Sequence, residues 1–115
     1  MKKTTTHNVH ERSIPVPPEL VNLPKIEAEP WLQLSPSTDV MLEGPAFDTK
    51  GNLFVTAPSK GLVYKIMPNK QLSTIFNDQK VIVDGSAFHK DGRLFIVCLS
   101  GELLIINPDT NPLRV

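Results

Sequence analysis

LEGPAFDTKGNLFV, residues 42–55, and VDGSAFHKDGRLFI, residues 83–96, are two copies of one pattern. Sliding the chain along itself by 41 positions pairs Gly44 with Gly85, Ala46 with Ala87, Phe47 with Phe88, Gly51 with Gly92, Leu53 with Leu94 and Phe54 with Phe95. After a one-residue slip the match resumes, with Gly61, Ile66 and Pro68 over Gly101, Ile106 and Pro108. Identities in that order and spacing mark an internal repeat, which has to be recognised before any other feature is read.

Outward from the repeat, short apolar stretches alternate with turn signals: WLQL, LEGPAF, NLFVTA, GLVYKI, QLSTIF, VDGSAF, RLFIVCL and GELLII. Their lengths and their β-branched and aromatic content are those of strands. The first complete unit reads as four antiparallel strands at 41–48, 52–58, 61–67 and 72–77. DTKGN at 48–52 and HKDGR at 89–93 each place a glycine where a tight hairpin needs positive φ. A period near forty with four strands per unit is that of a β-propeller blade, since helical repeats of similar length would show helical periodicity. The expected fold class is therefore all-β, a partial propeller over 29–115 with a blade at 41–77 and an incomplete blade at 82–108.

The same offset lays Trp31, Leu32, Gln33 and Leu34 over Leu72, Ser73, Thr74 and Ile75, which predicts an orphan outer strand at 31–35 ahead of the first blade. The second copy is expected to stop before its own outer strand. Residues 1–28, with Pro15, Pro17, Pro18 and Pro24, read as an extended arm. Two blades and an orphan strand cannot close a ring, and repeats of this kind bury their faces only against neighbours. The expectations are a truncated reading frame, a natural fragment, or a subunit that self-associates through its open blade faces, three chains making six blades.

Of 115 residues 40% are hydrophobic, and twelve basic side chains balance twelve acidic ones. Without a basic face the chain lacks the electrostatic footprint of nucleic-acid binding. Lys2 and Lys3 lead into polar residues rather than the apolar core of a secretory signal, so a cytoplasmic location is expected. No apolar run approaches the ~20 residues of a membrane-spanning helix. The single cysteine, Cys98, lies in LFIVCL and reads as a small buried hydrophobe rather than a reactive thiol. His7 and His10 have the spacing H-x-x-H but no third ligand in step. His89, Asp48 and Asp91 read as turn residues; neither turn has the acid spacing of an EF-hand, and no G-x-S-x-G elbow is present.

LEGPAFDTKGNLFVTAPSKGLVYKI at 42–66, together with EAEPWLQL at 27–34 and HKDGRLFIVCL at 89–99, resembles the senescence-marker-protein and gluconolactonase family. That family comprises six-bladed propellers including regucalcin and bacterial lactonases, and the E-P-W segment points to its drug-responsive lactonase branch. The resemblance covers about a third of a family propeller. It implies hydrolysis of a small-molecule lactone. It also implies that Glu43, the acid of the E-G-P motif, is a ligand of a divalent metal at the channel mouth, with Ca²⁺ expected among Ca²⁺, Zn²⁺ and Mg²⁺. Hard oxygen ligands suit Ca²⁺, and a metal there would polarise the lactone carbonyl and activate water. The family's other ligands come from later blades. Asp84, the counterpart of Glu43, should also face the channel mouth, as a structural or supporting acid or as a solvated one. The alternatives are a non-enzymatic propeller piece used for binding and a vestigial truncated product, because fold does not decide function.

Overall fold

The structure, a computed structural model, describes residues 14–109 and 113–114. His7 and His10 lie outside the described residues. The chain divides at Trp31/Leu32 into two units, a few residues beyond the boundary expected at 28. The described part of the first unit is exposed and irregular apart from a single 3-10 turn at Pro18–Leu20. Pro18 suits the first position of that turn, where its missing N–H costs nothing.

The second unit is all-β. Strands β1 (Glu43–Phe47), β2 (Leu53–Ala57), β3 (Leu62–Ile66) and β4 (Leu72–Asn77) form one antiparallel sheet in sequence order. β5 (Val83–Phe88), β6 (Leu94–Cys98), β7 (Leu103–Ile106) and β8 (Leu113–Arg114) form a second in the same order. Two successive four-stranded meanders are the blades the repeat predicts, and neither sheet closes on itself. Gly51 and Gly92 take φ of 81° and 90°, the left-handed conformation the hairpins require.

Two expectations at the ends of the sheets are corrected. Residues 31–35 form no strand. Extended residues become a strand only through a ladder, and no described strand pairs with these. The second sheet, in turn, does acquire an outer strand: β8 pairs with β7 through Leu104↔Arg114 and Ile105↔Leu113. It is two residues long, against six in β4.

Alternation sets the core. On β6, Ile96 and Cys98 are buried while Val97 between them is 56% exposed, so the sheet has one covered face and one open face. The covered face packs against the first sheet in a cluster that joins Phe54, Val63 and Phe76 to Val83, Leu94, Ile96, Leu104 and Ile106. Each such side chain contributes about 1.5–3 kcal/mol by leaving water. At its centre the rings of Phe54 and Phe88 meet edge to face, with centroids 5.0 Å apart. Cys98 is buried in the same cluster, in keeping with its reading as a core residue.

Candidate functional site

The first strands of the two sheets, β1 and β5, carry the two acids at their leading ends. Glu43 pairs with Thr56 of β2, yet the next ladder pair is Ala46 with Phe54. Three steps on β1 thus oppose two on β2, which is a β-bulge at Gly44 and Pro45. Proline, with no N–H to offer a ladder, is at home in such a bulge. The second sheet repeats the device: Val83 pairs with Cys98 and Ser86 with Ile96, leaving Asp84 and Gly85 in the bulge.

The two bulges abut. Gly44 has φ of 54°, and a Cβ on it would stand 2.5 Å from the carbonyl oxygen of Asp84 and 2.9 Å from the amide nitrogen of Ser86. Only a glycine lets the backbones approach so closely. Two hydroxyls then join the sheets across the seam. Thr56 Oγ1 donates to the Asp84 carbonyl at 2.9 Å, and Ser86 Oγ donates to the Gly44 carbonyl. Thr56 is 1% exposed, so its hydroxyl is buried and satisfied.

Glu43 is exposed at this seam and Asp84 is half-buried. Both offer hard carboxylate oxygens, the donor type that suits Ca²⁺. Among the described residues no group of three or more His, Cys, Asp and Glu side chains stands together to hold a metal ion. Thr56 and Ser86 escaped the sequence reading. They are among the positions where the two copies differ, Val97 standing at the place of Thr56 and Pro45 at that of Ser86.

The hairpin tips lie at the far ends of β1 and β5. Between them is a cleft of about 380 Å³ lined by Phe47, Thr49, Phe88, His89 and Lys90 among others. It is remote along both strands from Glu43 and Asp84. In the first tip, Asp48 Oδ1 accepts from the backbone N–H groups of Lys50 and Asn52, and Oδ2 from the Asn52 side-chain amide at 2.8 Å. Burial pushes the Asp48 carboxyl up, but these donors and the charge of Lys65 outweigh it and hold it below its ordinary 3.8. In the second tip Arg93 holds the Asp91 carboxyl well below the usual carboxylate range, with Arg93 Nη2 2.8 Å from Asp91 Oδ2. His89 Nδ1 accepts from the Asp91 N–H at 3.3 Å. All three side chains therefore tie turns, as their sequence positions indicate.

Among the described residues no helix is long and apolar enough to cross a membrane. No family model matches the chain, and no solved structure matches it. Curated proteins do. The lactonase drp35 of Staphylococcus saprophyticus is 33% identical over 103 residues, covering 84% of this chain and 32% of that protein. The lactonase drp35 of Staphylococcus aureus strain USA300 is 41% identical over 81 residues, covering 70% of this chain and 24% of that protein. The chain thus spans about a quarter to a third of the length of these relatives. With its blade-like repeat and its E-G-P bulge, the chain belongs to the senescence-marker-protein and gluconolactonase family.

Proposed function

We propose that this chain supplies part of a metal-dependent lactonase, a hydrolase that opens a lactone ring, and that Glu43 is one carboxylate ligand of its divalent cation, Ca²⁺. The observation that carries the reading is the pair of abutting bulges, which bring an exposed glutamate and a half-buried aspartate to the same end of neighbouring inner strands. The names of the relatives supply the reaction class. Asp84 stands as a supporting acid whose carbonyl is already engaged by Thr56. Two carboxylates are too few for Ca²⁺, which takes six to eight oxygens, so the reading requires further ligands from residues beyond this pair. When bound, the cation would polarise the lactone carbonyl and lower the pKa of an attacking water. The role of this chain is to hold Glu43 against the seam and to orient it.

The test is lactone hydrolysis followed by proton release, with Ca²⁺ and with chelator. It is run on this chain alone and on this chain continued by the remaining blades of a drp35 relative. The continued protein is expected to hydrolyse lactone only with Ca²⁺ and to lose that activity on Glu43→Gln. Activity that survives Glu43→Gln undiminished would overturn the assignment.

A further inference from the structure

We propose that Thr56 and Ser86 are positioning residues whose hydroxyls set the placement of Glu43 relative to Asp84 across the seam between the sheets. The inference rests on the reading of Glu43 as a cation ligand. Apolar burial joins the two sheets, but it is non-directional and leaves their relative placement loose on the scale of a ligand distance. Hydrogen bonds are directional, and two of them sit at the acids. Thr56 is the ladder partner of Glu43, and its hydroxyl reaches the carbonyl of Asp84. Ser86 lies two residues beyond Asp84, and its hydroxyl reaches the carbonyl of Gly44, the residue after Glu43. Each bond therefore starts beside one acid and ends beside the other.

The repeat shows that these hydroxyls are no general property of a blade. The copies share the glycines, the phenylalanines and the strand leucines. At the two hydroxyl positions the counterparts are Val97 and Pro45, neither of which has a side-chain donor. The close approach that permits the bonds also depends on this seam, because Gly44 has positive φ while Gly85 does not. Side chains that orient ligands without touching a metal alter its affinity about 10–100-fold when removed.

The experiment follows the backbone amide signals of Glu43 and Asp84 in this chain, isotope-labelled and continued by the remaining blades of a drp35 relative, during titration with Mn²⁺, well below the unfolding temperature. In the unaltered continued protein both signals are expected to broaden along one binding curve. Ser86→Ala and Thr56→Val are each expected to weaken that binding about tenfold or more, and Ser86→Thr and Thr56→Ser to restore it. Unchanged binding in both hydroxyl-free variants would overturn the positioning role and leave the cation reading standing. Equal losses in the hydroxyl-retaining variants would also overturn it, by showing a packing effect. No broadening at Glu43 in the unaltered continued protein would overturn both readings.

Discussion

Phe54 and Phe95 occupy the same place in two copies of one unit, and their surroundings differ. Phe54 is fully buried beneath Phe88. Phe95 is half-buried, with the Arg93 guanidinium 5.2 Å from its ring centroid. The phenylalanines of the first strands show the same contrast in reverse: Phe88 packs on the preceding sheet, whereas its counterpart Phe47 is 66% exposed. The aromatic pair is thus made once, where the two sheets meet, and each sheet leaves one half of it over. Thr56, 1% exposed, and its counterpart Val97, 56% exposed, repeat the lesson. A blade residue contributes to stability only when a neighbouring blade covers it, so identical residues carry different energies according to position in the array.

The largest expected effect breaks this comparison directly. Phe54→Ala should cost about 3–5 kcal/mol by leaving a core cavity, enough to unfold a marginal domain, while Phe95→Ala should cost about 1 kcal/mol or less as a partly exposed side chain. Urea midpoints decide; equal losses would show that the two faces are equivalent. Next come the glycines. Gly44→Ala combines left-handed strain with backbone contact and should cost about 3 kcal/mol, against about 1 kcal/mol for Gly92→Ala, whose Cβ would meet nothing within 4 Å. Melting temperatures would separate the two.

A smaller effect distinguishes the hairpin tips. Asp48→Ala should cost about 1 kcal/mol at neutral pH through its lost hydrogen bonds. Because the folded carboxyl of Asp48 is held below its ordinary 3.8, the unfolded chain takes up the proton first. That contribution is complete above the ordinary value and fades as pH falls through the folded one. Denaturation of the parent and Asp48→Ala chains should therefore converge in acid. Asp91→Ala, at the exposed second tip, should shift the midpoint less than Asp48→Ala, and its effect should shrink in salt. Smallest of all is Val97→Thr, which should stay within about 0.5 kcal/mol.

The strands and the repeat were legible because period-two alternation and hairpin glycines are local signals. Gly51 and Gly92 do what their turns require, and Asp48 and His89 bind the turns in which the sequence puts them. The bulges were not legible. Gly44 and Gly85 are aligned glycines, yet only Gly44 takes positive φ, a difference decided by how the second sheet closes on the first. Thr56 and Ser86 were hidden for the same reason: their partners lie 28 and 42 residues away. Their mismatch with Val97 and Pro45 is one of many between the copies and does not single them out. Residues 31–35 misled because they copy the composition of an outer strand, and composition does not supply a ladder partner. Residues 113–114 escaped because a two-residue strand has no period to read.

The central claim is the proposal that the seam between the two sheets holds Glu43 beside Asp84 at one cation site. A Ca²⁺ titration of this chain continued by the remaining blades of a drp35 relative, followed at the side-chain carboxyl carbons of both residues, tests it most directly. One shared saturation curve is predicted, with Glu43→Gln abolishing the response at Asp84 as well. Independent curves, or an Asp84 response that persists in Glu43→Gln, would contradict it.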